Sequence, residues 1–205
     1  MSSINFTLQS FALSNTRSVH EDTNYLAIAL THNGSLLPPK VQKIGNVNNG
    51  TKEVNMTISI PGTYNATDTF TFSYILINHG GDSTQNVLEY CLSAISDSPL
   101  KDFDQTKAVA ISINGKLLPT SLLPNLRAKD FMNTKWNLIK SYFHHQNHCD
   151  GPVAIDSFSF AGNELVNMEL VSQAAPFSLI YLGTDSNIGC GSNSDYSVQW
   201  FIGIS

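Results

Sequence analysis

The feature that most limits what this chain can fold into is the strict alternation of apolar with other residues. Large apolar side chains occupy every second position in four segments, 26–30, 54–60, 70–76 and 198–204. A period of two is typical of β-strands that turn one face towards a core. The same reasoning predicts further strands, at 5–13, 107–113, 153–160, 164–171 and 177–182.

Turn-forming dipeptides separate these segments. They are Asn-Gly at 33–34, 49–50 and 114–115, Pro-Gly at 61–62 and Gly-Asn at 162–163. Asn and Gly tolerate the positive φ angles that tight hairpin turns require. The pattern therefore predicts antiparallel strands joined by short connections.

Two segments follow a helical period instead. The first, about 83–97, has a capping-box-like start and places Cys91 among apolar residues, so we expect this thiol to be buried. The second, about 133–148, carries its apolar residues on one face and ends before Gly151. Both helices interrupt a chain that otherwise favours strands.

The order of these elements is strands, helix, strand, helix, strands. A parallel α/β fold would alternate strands and helices regularly, which this chain does not. The sequence therefore predicts a mainly β fold, an antiparallel two-sheet β-sandwich with a helical insertion at about 82–150. We expect residues 1–205 to form a single domain.

One stretch of the chain resembles another. Residues 27–38 and 108–119 align without a gap at an offset of 81, and each predicts a strand, an Asn-Gly turn and a short return ended by Pro. Two explanations stay open: a duplicated hairpin within a pseudo-symmetric fold, or convergence on favourable turn chemistry.

Charged residues are scarce. They make up 13% of the chain, with 11 Lys+Arg, 16 Asp+Glu and a net charge of −5, against about 25% in an average domain. Only two arginines and scattered lysines argue against nucleic acid as a partner. No apolar run approaches the roughly 18 residues that span a bilayer, so no transmembrane segment is predicted.

The beginning of the chain lacks the basic and apolar regions of a secretory signal peptide. We therefore expect a cytoplasmic location, unless export leaves no N-terminal mark. Three cysteines are too few for a disulfide scaffold, which agrees with that expectation.

The first candidate site lies between the first two strands. Arg17, His20 and Asp22 are closely spaced for a chain with so few charges. Asp22 could orient His20 as a general base, or the carboxylates could bind a hard cation such as Ca²⁺. The alternative is a solvated loop in which Arg17 pairs with Asp22.

The second candidate site follows the predicted second helix. His144 and His148 are four residues apart and share a helical face, and Cys149 or Cys190 could add a thiolate to a Zn²⁺ site. Alternatively, the histidines cap the helix C-terminus, where the macrodipole favours positive charge, or form a pH-sensitive surface patch. The two cysteines could also form a disulfide or remain two reduced thiols.

The third candidate site precedes the last strand. It contains oxygen-bearing side chains beside aromatic ones, which suits Ca²⁺ or glycan binding. The spacing does not follow an EF-hand loop, and an ordinary strand connection explains the composition equally well. The candidate residues are Asp185, Asn187, Asn193, Asp195 and Tyr196.

Together these observations favour a non-catalytic recognition or self-assembly module, that is, a glycan-binding or homo-oligomeric structural protein. Its partner would be a glycan or other copies of itself, and Ca²⁺ and Zn²⁺ are the candidate ions. Two alternatives stay open. One is a metal-dependent enzyme that uses the cluster of His144, His148 and Cys149, and the other is a membrane-active β protein.

Overall fold

The computed structural model describes residues 3–14, 22–79, 83–96, 112–113, 116–117, 151–174, 176–181 and 195–205. These residues form the strands β1 Ser3–Ser14, β2 Asp22–His32, β3 Ser35–Leu36, β4 Lys40–Val47, β5 Gly50–Pro61, β6 Thr69–Asn78, β7 Ser112–Ile113, β8 Lys116–Leu117, β9 Gly151–Ala161, β10 Phe177–Tyr181 and β11 Asp195–Ile204. The helices are α1 Thr84–Ser96 and α2 Gly162–Ala174.

The strands form two antiparallel sheets that face each other, which confirms the predicted sandwich. Sheet A has the order β5-β1-β11-β10-β7-β8, and sheet B has the order β3-β2-β6-β9, with β4 also paired to β2. The first and last described strands, β1 and β11, are neighbours in the middle of sheet A. Ser3 and Ser205 exchange two backbone hydrogen bonds, of 2.6 and 2.9 Å.

The main core lies between the two sheets. The alternating apolar positions predicted from sequence supply it, from Leu26 and Ile28 on β2 to Val198 and Ile202 on β11. Trp200 is fully buried at its centre. Its ring centroid lies 4.4–5.9 Å from those of four other aromatic side chains, Phe72, Phe158, Phe160 and Phe177.

A second cluster covers the outer face of sheet B. Helix α1 packs Val87, Cys91 and Ile95 against outward residues of β2, β6 and β9, such as Ala27 and Ile75. The predicted helix at 83–97 is thus confirmed, and it begins with a hydrogen bond from the Asn86 N–H to the Ser83 hydroxyl. Burial raises the pKa of Cys91 to about 12, so this side chain stays a neutral thiol, as expected for a core position.

The predicted strand at 164–171 is wrong, because this segment belongs to helix α2. Leu165 and Met168 are buried in the main core, whereas Leu170 is 61% exposed. Burial at a spacing of three is helical, and alternation would have buried Leu170 together with Met168. The side chain of Glu164 accepts a hydrogen bond from the Ala161 N–H at 2.8 Å, which is half of a capping box.

Helix α2 also closes the exposed side of β11. Strand β10 begins only opposite Trp200, so within the described part of the chain no strand pairs with the end of β11 on that side. There the Glu169 Oε1 accepts a hydrogen bond from the Ile204 N–H at 2.7 Å. The first residue of α2, Gly162, donates its N–H to the Asp68 carbonyl at 2.7 Å.

The two related stretches form hairpins with the same register. Thr31 pairs with Leu36 around the Asn-Gly turn at 33–34, and Ser112 pairs with Leu117 across 114–115. Asn33 and Gly34 have φ angles of 50° and 76°, the values of a type I′ turn. Each hairpin lies at one edge of its sheet, β2-β3 in sheet B and β7-β8 in sheet A. This placement agrees with a pseudo-symmetric arrangement, although convergence would give the same register.

Other sequence predictions fall outside the described residues. These are the second helix at about 133–148 and most of the strand at 107–113. No helix in the described part of the chain is long and apolar enough to cross a membrane.

The sandwich has two distinct ends. The terminal end contains Ser3 and Ser205, together with the start of α2. The far end contains the last residue of β1 and of β10 and the first residue of β9 and of β11. Residues 15–21 and 182–194 join described strands at the far end, and residue 150 immediately precedes β9 there.

Candidate functional site

Among the described residues, the polar groups inside the sandwich lie between its middle and its far end. At the terminal end the inner faces carry apolar side chains such as Phe6, Phe70 and Phe160. Asn24 lies inside the sandwich near the far end, and Asp156 lies at the middle of β9, opposite Tyr74 of β6. These two side chains are 0% and 1% exposed. Burying polar groups is unfavourable unless they are hydrogen-bonded, so this asymmetry marks the far end as the candidate functional site.

One hydrogen bond across the sandwich starts at Tyr196. Its side chain is buried on the inner face of β11, in sheet A. The hydroxyl donates to the Asn24 Oδ1, on β2 of sheet B, at 3.2 Å. Tyr196 was predicted as a ligand-binding residue, and the structure places its phenol in a link between the sheets.

A second link joins the sheets through a buried carboxylate. The Tyr181 hydroxyl, at the end of β10, donates to the Asp156 Oδ2, on β9, at 2.9 Å. Because that hydroxyl has one proton, the neighbouring Tyr74 hydroxyl donates to the Tyr181 oxygen. The other carboxylate oxygen of Asp156 accepts the Ser157 N–H at 3.1 Å. The result is a directed chain from Tyr74 through Tyr181 to Asp156, in which each bond polarises the next.

This environment fixes the protonation state of Tyr181. Burial, followed by the negative charge of Asp156, raises the pKa of Tyr181 well above its usual value of 10.0. At neutral pH the phenol therefore keeps its proton and acts as a hydrogen-bond donor, not as a base. The arrangement suits a rigid frame better than proton transfer.

Raising the pH above about 10 should destabilise the wild-type protein more steeply than a Tyr181→Phe variant. In the unfolded chain this phenol ionises near its usual pKa, whereas in the folded protein it stays protonated. The folded state then binds one more proton, and the free energy of unfolding falls by up to about 1.4 kcal/mol per pH unit. Urea unfolding of both proteins across this pH range measures the slopes, and equal slopes would contradict the assignment.

The described residues include three of the predicted site positions, all at the far end. Asp22 begins β2 opposite Val47, and Asp195 begins β11 opposite Ser14. Tyr196 follows, with the hydrogen bond already given. The sandwich thus places Asp22 of the first candidate site at the same end as Asp195 and Tyr196 of the third.

The remaining candidates lie outside the described residues and stay predictions. They are Arg17, His20, His144, His148, Cys149, Asp185, Asn187, Cys190 and Asn193. Among the described residues, no group of three or more His, Cys, Asp or Glu side chains could hold a metal ion.

Sequence reasoning missed Asp156 and Asn24. A signal for Asp156 was present: it occupies an inward position of the predicted strand 153–160, between Ala154 and Phe158. A charged residue in such a row must be paired or exposed, and here it is paired. Nothing in the sequence indicates that its partner comes from β10.

The terminal end contains a different polar group. Asp68 accepts hydrogen bonds from the Asn65 N–H at 2.9 Å and the Asn33 side chain at 3.0 Å, and His32 Nε2 lies 3.3 Å away. These interactions, led by the Asn65 backbone bond, lower the pKa of Asp68 to about 2. Asp68 thus connects the β2-β3 turn to the segment before β6. Both belong to sheet B, so this group stabilises loops and does not link the two sheets.

Comparison with known proteins adds no assignment. No protein-family model matches this sequence, and no curated protein matches it.

Proposed function

We propose that this protein is a non-catalytic recognition module that binds a neutral glycan at the far end of its sandwich. The observation that carries the proposal is the pair of hydrogen-bonded links between the sheets, Tyr196 to Asn24 and Tyr181 to Asp156. Their tyrosines lie at the end of β10 and the start of β11, which residues 182–194 connect, and that segment contains three of the predicted ligand-binding residues.

Rigid support of this kind favours binding. Binding residues are commonly carried on connections between fixed strands, and affinity rises when less entropy is lost on ordering the site. Hydrogen bonds between the two sheets hold the ends of β10 and β11 against β2 and β9. A recognition site built on these strand ends would therefore be preorganised.

The available chemistry favours a neutral, hydroxyl-rich ligand. The chain has a low charge content, 13%, and the predicted ligand-binding residues of the third site are amides, carboxylates and a tyrosine. Planar amide and carboxylate groups fit neighbouring sugar hydroxyls, and aromatic rings pack on the apolar faces of sugars.

The test is a screen of the purified full chain against an array of neutral oligosaccharides, followed by calorimetric titration of the best binder. An Asn187→Ala/Asn193→Ala double variant should lose at least about tenfold in affinity, equal to 1.4 kcal/mol. Tyr196→Phe keeps the ring but removes its hydrogen bond to Asn24. It should weaken binding through lost preorganisation.

The matched control is Asn163→Ala, because Asn163 is exposed at the terminal end. This variant should bind like the wild type. Failure of every neutral glycan to bind would refute the proposal. So would equal affinity in the wild type and the double variant, provided that circular dichroism shows both to be folded.

A further inference from the structure

Two of the Asn-Gly dipeptides of this chain lie in the described residues. They are Asn33-Gly34, in the turn between β2 and β3, and Asn49-Gly50, where β4 is joined to β5. An asparagine followed by glycine loses ammonia readily without an enzyme, because glycine has no Cβ to shield its backbone nitrogen. The third dipeptide, at 114–115, lies outside the described residues.

This loss of ammonia needs only the two residues and water. The backbone nitrogen of the glycine gives up its proton and attacks the side-chain carbonyl carbon of the asparagine. A bond forms between these two atoms, the bond from that carbon to Nδ2 breaks, and Nδ2 leaves as ammonia. Water then opens the resulting succinimide ring at one of its two carbonyls, which yields aspartate or isoaspartate, and nothing is oxidised or reduced. The product carries a charge that the asparagine lacked, so the modification changes the surface of the protein.

The side-chain amide of Asn33 is held at both of its polar atoms. Its Oδ1 accepts a hydrogen bond from the Thr69 N–H at 2.8 Å, and its Nδ2 donates to the Asp68 Oδ1 at 3.0 Å. The Asn33 N–H also donates to the Thr69 carbonyl, at 2.8 Å. Before the side-chain carbonyl can rotate to meet the nitrogen of Gly34, the two side-chain bonds must break.

Asn49 has no comparable restraint. Its backbone N–H donates to the Asn48 Oδ1 at 2.8 Å, but within the described part of the chain its side-chain amide makes no hydrogen bond. The neighbouring Gly50 is exposed and has a φ of 136°, and a Cβ added there would meet no described atom within 4 Å. Asn33 and Asn49 are both exposed, so hydrogen bonding, and not exposure, distinguishes the two sites.

We infer that Asn49 is a site of intramolecular modification, by cyclisation onto the Gly50 nitrogen and hydrolysis to aspartate or isoaspartate. The site lies at the far end, because Val47 pairs with Asp22 and Gly50 pairs with Leu13. Each event adds one negative charge to a chain with a net charge of −5. Isoaspartate also lengthens the main chain of a connection that has only two residues. This inference goes beyond the proposed glycan binding and does not depend on it, since its test uses no ligand.

The test is to incubate the purified full chain at mildly alkaline pH and to follow each site over time by peptide mapping with mass spectrometry. Asn49 should be modified at least about tenfold faster than Asn33, because two side-chain hydrogen bonds must break before Asn33 reacts. A higher pH should speed the reaction at Asn49, since the attacking nitrogen must lose its proton. The product should include isoaspartate, which direct hydrolysis of the side-chain amide would not give.

The matched control is the wild-type chain unfolded in urea. The two sites have similar local sequences, Asn-Gly-Ser and Asn-Gly-Thr, so without the fold their rates should become similar. Asn49→Gln should remove the fast event, because the longer side chain closes a larger and less favourable ring. Asp68→Ala removes the acceptor of the Asn33 Nδ2 and should speed modification at Asn33 but not at Asn49.

Equal rates at Asn33 and Asn49 in the folded wild type would overturn the inference. So would modification of Asn49 that gives no isoaspartate, or a difference between the two sites that persists unchanged in urea. These comparisons use the wild type alone, so they hold even if Asp68→Ala does not fold.

Discussion

Replacing Gly162 by Ala should lower the free energy of unfolding by more than about 4 kcal/mol, one of the largest effects available to a single substitution here. Gly162 is the first residue of α2, and it packs directly against the segment that precedes β6. A Cβ at this position would lie 1.9 Å from the Asn65 carbonyl oxygen and 3.0 Å from its carbonyl carbon. Both atoms belong to the backbone, so no side-chain rotation relieves the overlap.

To remove this overlap, the start of α2 would have to move away from Asn65, and that movement would break neighbouring hydrogen bonds. The Gly162 N–H donates to the Asp68 carbonyl at 2.7 Å, and the Asn163 N–H donates to the Ala66 carbonyl at 3.1 Å. These bonds fix the start of α2 against the loop that Asp68 organises. Loss of their geometry would expose backbone groups that are now paired.

Gly203→Ala is the matched control for this substitution. In β11, the nearest described atom to an added Cβ at Gly203 is one atom of the Phe201 ring, at 4.0 Å. We expect a neutral or slightly stabilising effect, because alanine loses less backbone entropy than glycine on folding. Urea unfolding of the two variants at one protein concentration gives the comparison, and similar stabilities would contradict the packing at Gly162.

Trp200→Ala should cost about 3–5 kcal/mol of unfolding free energy. Trp200 is fully buried and is surrounded by aromatic rings of both sheets, including Phe158 at 4.7 Å and Phe177 at 4.4 Å between centroids. Among the described residues its indole Nε1 has no hydrogen-bond partner, so the loss would come from packing and from the cavity left behind.

The adjacent residue provides an internal control for Trp200. Phe201 belongs to the same strand but points to the outer face of sheet A, where it is only partly buried. Phe201→Ala should therefore cost clearly less than Trp200→Ala, as measured by urea unfolding. Equal losses would contradict the assignment of inner and outer faces to β11.

The fold could be predicted from sequence because alternation reports directly on which face of a strand is buried. The alternating segments that contain Phe70 and Trp200 could be assigned to a core without knowing which strands they pair with. Helix α2 was missed because Val166, Met168 and Leu170 also fit a period of two. Over so short a segment, the helical spacing of Leu165 and Met168 competes with that alternation.

The outer core of sheet B was not predictable in the same way. Its strand residues, such as Ala27 and Ile75, alternate with larger apolar residues, so both faces of β2 and β6 are apolar there. Such a pattern shows that something covers the second face but does not identify α1 as the covering element.

The candidate site depended on contacts between segments far apart in the chain. Tyr196 and Asn24 are 172 positions apart, and Tyr181 and Asp156 belong to different sheets. Sequence spacing identified polar segments but did not show that three strand ends place buried polar groups together. To predict that these strand ends lie together, one must know the order of the strands in each sheet, which turn chemistry alone does not determine.

The pairing of Ser3 with Ser205 determines at which end of the sandwich a fused polypeptide would be attached. A polypeptide fused to either residue would leave from the same pole of the sandwich. The opposite pole lies about ten strand residues away, or roughly 30 Å. A tether attached at both Ser3 and Ser205 would therefore leave the far end, where we propose that a glycan binds, pointing away from the tether.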